Sequence, residues 1–257
     1  MSTLLERVLE PRSLRVVFQP VVKTATQGRV VEYLEALVRG PHGSTLESPR
    51  ALFSYARRKH AEAQLDRTAI HAALRDARML PEHVALGLNV HISTLAGDPE
   101  FPNFLCEKAQ ECWIDPRRLV LELVEEGTAW DERGLREAVA CLRSIGIRIA
   151  LDDFGAGRSN LGLLPDCRPD YLKVDRCLVH GCDADAQRRA ILEAVIGLSR
   201  SLHCSVVAEG VEQQAELHAV RELGLTHVQG FLYGQPQPAA VLNALLGPDG
   251  LLPMGVC

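Results

Sequence analysis

The sequence predicts an α/β chain closed into a (β/α)8-type barrel. Three observations carry this. Short β-branched runs alternate with longer stretches of helical period, about eight such runs occur, and no repeat or Ser/Gly/Pro linker divides the chain. The first run, Arg15–Val21, is followed by Val30–Val38, with Thr24–Gly28 between them. That spacer is too short for a crossover helix, because a parallel connection needs about a dozen residues. The two runs are therefore expected to pair as an antiparallel hairpin, so that one barrel position deviates.

Two stretches of helical period follow, Ser48–Arg58 and Ala61–Arg78, and then the third run, Val84–Val90. Phe101–Glu111 leads to Leu119–Leu123, and Glu132–Ser144 leads to Ile147–Leu151. Tyr171–Val174 comes next. Asp185–His203 then returns apolar residues at three- and four-residue intervals, with Ile191, Val195, Leu198 and Leu202 marking one face. Ser205–Ala208, the helical stretch Gln213–Leu223 and His227–Val228 complete the pattern, and Gly247–Cys257 reads as loop. The expectation is a single domain over 1–257, with its motif-bearing core at about 14–245.

The chain has 257 residues, 47% of them hydrophobic, which suits a single barrel of ~250 residues. A net charge of −5 argues against a duplex nucleic acid partner. An anionic ligand would have to be held by a local site with metal help. Met1–Arg12 carries charges throughout and resembles no signal peptide, and no run of about 18 apolar residues occurs. The expectation is a cytoplasmic chain without a membrane span. None of the eight cysteines forms a C-x-x-C pair, which argues against a zinc knuckle. Free thiols in a reducing compartment are expected, with redox regulation through Cys177 and Cys182 as the alternative.

Reactive residues of such a barrel gather at the carboxyl ends of its strands. There the sequence places Glu35, Asn89, Glu122, Asp152, Asp153, Lys173, Glu209 and Gln229. Each breaks an apolar run where an unpaired charge or amide is costly to bury. Taken singly, Glu122 reads as a solvated edge or barrel salt bridge, Asn89 as a backbone tie and Lys173 as an ion-pair partner. The adjacent Asp152–Asp153 pair is stronger, because neighbouring like charges repel and call for a cation. Four acids with an amide oxygen are hard ligands, suited to Mg²⁺ or Mn²⁺ rather than zinc. The glycines of Asp152-Asp153-Phe154-Gly155-Ala156-Gly157 leave a loop free of bulk, able to approach a ligand.

Eight segments now appear in order: Phe18-Gln19-Pro20, Glu35-Ala36-Leu37-Val38-Arg39, Leu88-Asn89-Val90, Glu122-Leu123-Val124-Glu125, Asp152 to Gly157, Leu172-Lys173-Val174-Asp175, Ala208-Glu209-Gly210-Val211-Glu212 and Gln229-Gly230-Phe231. Together they closely resemble the EAL domain of cyclic di-GMP phosphodiesterases over residues 18 to about 240. The resemblance implies a modified TIM (β/α)8 barrel with one antiparallel strand. It also implies two divalent cations, Mg²⁺ or Mn²⁺, with Ca²⁺ inhibitory. By that resemblance Glu35, Asn89, Glu122 and Asp152 would ligate one cation, and Asp152, Asp153 and Glu209 would ligate or approach the second. Lys173 would hold the attacking water, with Glu209 a candidate general base. Gln19, Arg39 and Gln229 would contact cyclic di-GMP, and Glu125 and Glu212 would anchor the loop around Asp152–Gly157. A homodimer is also implied.

Two departures stand out: Ala156 replaces the Thr found in many members, and His91 sits beside Asn89 as a neighbour of the site. No expected ligand is replaced. The competing readings are a non-catalytic EAL module binding cyclic di-GMP or a protein partner as a sensor, and another metal-dependent barrel enzyme acting on small metabolites.

Overall fold

The computed structural model describes residues 3–23, 29–125, 130–156, 160–225, 227–247 and 250–252. The expected hairpin connection Thr24–Gly28, together with Gly157, Thr226 and most of the tail beyond Gly247, lies outside the described residues.

Eight strands close into a barrel in chain order: β1 (Arg15–Lys23), β2 (Val30–Arg39), β3 (Ala85–His91), β4 (Leu119–Val124), β5 (Arg148–Phe154), β6 (Tyr171–Val174), β7 (Ser205–Ala208) and β8 (His227–Gln229). β1 runs antiparallel to both neighbours, with Gln19 opposite Glu35 on β2 and Val21 opposite Gln229 on β8. The remaining pairs are parallel. The expected antiparallel strand is thus β1. β5 extends past its apolar run to include Asp152 and Asp153, which the sequence placed after the strand.

Alternation along the strands divides the side chains into two sets. Leu34, Leu86, Leu121 and Leu172 face outward into the main apolar core, which also holds Leu65 and Ile70 of the helix Glu62–Ala77 and Leu105 and Leu142 of two later helices. Val21, Tyr33, Ala85, Val120, Ala150, Tyr171 and Val207 fill the lumen as a separate apolar layer. The floor beneath is polar. Glu32 accepts from the Tyr171 hydroxyl at 2.6 Å and pairs with Lys23 at 2.9 Å, while Arg148 donates to the same hydroxyl at 2.7 Å.

Local signals set the helix ends. Asp131 accepts from the backbone N–H groups of Arg133 and Gly134 to start Glu132–Ser144, and Asp185 does the same for Gln187 and Arg188 to start Ala186–Leu202. The Arg118 guanidinium donates to the carbonyls of Pro81 and Val84, tying the entry of β4 to that of β3. One helix face differs from expectation. Leu192, Val195, Ile196 and Ser199 are buried, whereas Ile191 and Leu202 are 46% and 40% exposed. Both sets have helical spacing and share Val195, so periodicity alone cannot choose between adjacent stripes. Packing against β7 chooses the first. Among the described residues, no helix is long and apolar enough to cross a membrane.

Candidate metal centre and active site

The strand ends deliver five carboxylates and one ammonium group to the barrel mouth. Lys173 of β6, buried to 1% exposure, lies at their centre. Its Nζ is 3.1 Å from Glu35 Oε2, 2.9 Å from Asp152 Oδ1 and 2.9 Å from Glu209 Oε1, and it also pairs with Glu122. Residues from β2, β4, β5 and β6, and from the residue following β7, therefore meet at one point. Asn89 of β3 joins them by donating to Glu35 Oε1 at 2.9 Å.

Asp153 reaches the same centre by a backbone irregularity. Adjacent strand residues normally point to opposite faces. Here the β5–β6 register shifts between Leu151 and Phe154, and Asp153 takes a left-handed conformation with φ of 52°, which Asp tolerates better than most residues. Oxygen atoms of Asp152, Asp153 and Glu209 consequently lie within 4.8 Å of one another.

Burial and mutual repulsion dominate the electrostatics. Burial and the charge of Glu35 push Glu122 well above the ordinary carboxylate range, and burial pushes Glu209 well above it too, against the attraction of Lys173. Burial likewise raises Asp152. Asp153 is raised to about 6 by desolvation and by the charges of Asp152 and Asp175. Burial would raise Glu35 as well, but Lys173 and hydrogen bonds from Gln229 and Asn89 hold it below its usual value. Burial would lower Lys173, yet Asp152, Glu122, Glu209 and Glu35 keep it well above its usual value, a fixed cation. One ammonium group facing five carboxylates leaves negative charge uncompensated, and burying it costs several kcal/mol per ion. Oxygen-only donors in that excess fit divalent cations such as Mg²⁺ or Mn²⁺. The residues present fit the group.

Around this centre the substrate candidates divide. Gln229 donates to Glu35 Oε2 at 2.6 Å and to Gln19 Oε1 at 3.3 Å, and Gln19 donates to the Gly234 carbonyl at 3.1 Å. Both amides are buried and belong to a chain supporting Glu35, while also lining a cleft of about 200 Å³. Arg39 lines a second cleft of about 420 Å³, together with Arg50, Phe53 and His91. His91 is held by Asp66, its ring Nδ1 2.9 Å from Asp66 Oδ1, and stands beside the site as expected. Glu212 pairs with Arg176 at 2.9 Å. Glu125 has a buried Oε2 without a hydrogen-bond partner among the described residues.

Arg176 and the half-exposed Phe231 also line the smaller cleft, and sequence reasoning gave neither a role. Gly210 gives Arg176 its place: its φ is +66°, and a Cβ there would fall 2.7 Å from the Arg176 Cβ. The requirement for that glycine is visible only in three dimensions.

Comparison with known proteins fits this geometry. The EAL domain family model matches residues 3–236. The cyclic di-GMP phosphodiesterase NbdA of Pseudomonas aeruginosa is 31% identical over 94% of this chain and 31% of its own length. A standalone versatile EAL protein from Vibrio cholerae O395, solved with cyclic di-GMP bound, superposes with a TM-score of 0.77 at 27% identity. It covers 88% of this chain and 93% of that one. BlrP1 of Klebsiella pneumoniae, solved with calcium and cyclic di-GMP, gives a TM-score of 0.77 at 27% identity, over 93% of this chain and 59% of that one. The chain spans only 29% to 40% of the length of the first curated relatives that it matches.

Proposed function

The chain belongs to the EAL domain family, and from that premise we propose that it is a metal-dependent phosphodiesterase hydrolysing cyclic di-GMP to linear 5′-pGpG. The observation that carries this reading is the convergence of Glu35, Glu122, Asp152 and Glu209 on Lys173 beside two clefts.

In this reading Glu35, Asn89, Glu122 and Asp152 hold one divalent cation, and Asp152, Asp153 and Glu209 the other, with Mg²⁺ or Mn²⁺ supporting turnover and Ca²⁺ inhibiting it. Such cations, when bound, lower the pKa of a water and offset phosphoryl charge. Lys173 stays protonated, so it orients the attacking water as a donor and cannot act as base. Glu209, as a carboxylate beside that water, takes its proton. The water oxygen bonds to phosphorus, the bond to the ribose 3′ oxygen breaks, that oxygen takes up a proton to become a hydroxyl, and a 5′-phosphate remains on the linear dinucleotide. Arg39, half-buried at the larger cleft and, among the described residues, donating to its own Val38 carbonyl at 3.0 Å, offers its remaining N–H groups to phosphate. We assign the reaction to the cytoplasm, in one catalytic domain acting as a homodimer.

Incubating the purified chain with cyclic di-GMP and Mg²⁺ or Mn²⁺ tests this directly. Release of 5′-pGpG that EDTA abolishes is the expected result. Tight binding with no turnover would assign the chain to the sensor modules instead, and activity on another phosphoester without cyclic di-GMP binding would point to a different barrel enzyme.

A further inference from the structure

We infer that Tyr33 and Gly87 form a seat for the Glu122 carboxylate, with the Tyr33 hydroxyl donating to it in the cation-loaded state, which makes Tyr33 a positioning residue of the metal centre. The inference rests on the reading that this centre binds divalent cations.

Tyr33 is fully buried in the lumen layer, two residues before Glu35 on β2, and its ring lies 5.5 Å from that of Tyr171, centroid to centroid. Its hydroxyl is buried with no hydrogen-bond partner among the described residues. An unpaired buried hydroxyl costs stability that a phenylalanine in the same space would not, so its presence calls for a cause. Burial first and the charge of Glu122 next push this phenol well above its usual range, with Lys173, Glu35 and Asp152 also acting on it. The hydroxyl-bearing ring borders, at Gly87, the same gap as Glu122 Oε1.

Gly87 supplies the second half. It pairs with Glu35 on one side and Val120 on the other, facing the lumen. A Cβ at this position would overlap Glu122 Oε1 and approach the Tyr33 ring to 2.9 Å at Cε2 and 3.1 Å at Cδ2. The Glu122 carboxylate and the Tyr33 ring thus share the space that the missing side chain leaves. Glu122 Oε1 is itself buried without a hydrogen bond among the described residues, while the carboxylate pairs with Lys173. A donor and an acceptor, both without a hydrogen-bond partner among the described residues, thus border one small compartment.

The test is Mn²⁺ binding by calorimetry and thermal melting in EDTA for the wild type, Tyr33→Phe, Glu122→Gln and the double variant. Tyr33→Phe is expected to weaken Mn²⁺ binding about tenfold while raising the metal-free melting temperature, two shifts that a purely structural role would not combine. The double variant should bind Mn²⁺ no more weakly than Glu122→Gln alone. Gly87→Ala, displacing the same carboxylate, should weaken Mn²⁺ binding at least as much as Tyr33→Phe. Unchanged Mn²⁺ affinity in Tyr33→Phe, or additive losses in the double variant, would overturn the seat alone. A wild type that binds no Mn²⁺ would overturn the cation reading and the seat with it.

Discussion

Gln229 reaches across the closure of the barrel to donate to Glu35 Oε2 at 2.6 Å, so the last strand holds the first acid of the site in place. The same amide lines the smaller cleft, and two roles compete for it. A hydrogen bond to a charged group is worth about 1.5–3 kcal/mol. Gln229→Ala should therefore raise the Mn²⁺ concentration needed for half-maximal turnover roughly tenfold or more, with a smaller change in KM for cyclic di-GMP. A change confined to KM would make Gln229 a substrate contact alone.

Glu35→Ala and Asp152→Asn each remove one of the four carboxylates paired with Lys173. Because the cluster carries excess negative charge, neither loss should unfold the metal-free protein, and circular dichroism melts should match or exceed the wild type. Release of 5′-pGpG should fall by more than about 100-fold, beyond the cost typical of losing only an outer supporting contact. Wild-type turnover in either variant would remove that residue from the site.

Lys173→Met deletes the one cation that the described residues place among these acids. Breaking a buried pair by removing one partner costs about 3–5 kcal/mol, which at roughly 2–4 °C per kcal/mol is a fall of roughly 6–20 °C in melting temperature. Saturating Mn²⁺ should recover part of it, about 2.7 kcal/mol at a hundredfold excess over Kd. Scanning calorimetry in EDTA and in Mn²⁺ checks both halves. A variant melting with the wild type in EDTA would contradict the charge balance described for the centre.

His227 offers a pH test away from the acids. Burial holds its imidazole below the usual value, against the attraction of Glu32. The folded chain thus binds fewer protons here than the unfolded chain. This contribution to stability is complete above the ordinary histidine pKa of ~6.5 and is lost as pH falls from there towards the lower folded value. Between pH 7.5 and 5 the wild type should lose more stability than His227→Gln in urea titrations. Parallel curves for the two would rule out the linkage.

Most strands could be read because their cores are uninterrupted β-branched runs, and the acids could be read because each breaks such a run. Less was legible where geometry joins distant residues. The floor contacts of Glu32, Arg148 and Tyr171 come from three strands and carry no local signature. The short helices Ile92–Gly97, Leu164–Cys167 and Arg176–Val179 hold too few turns for a period to show. Gln19 and Gln229 could be placed at the mouth, but their mutual hydrogen bond could not. Gly87 looked like any glycine in a strand until Glu122 and Tyr33 were seen to occupy its space.

The stacked lumen has a consequence for traffic. Tyr33, Tyr171 and their apolar neighbours plug the barrel just below Lys173, and the Glu32–Arg148 contacts close it further down. Among the described residues, the back of the barrel is filled by these side chains. In the proposed reaction, ions and dinucleotide would then both enter by the mouth, and a nucleotide lying across it would lock the ions in. Ion exchange is accordingly expected to slow when nucleotide is bound and to resume after the product departs.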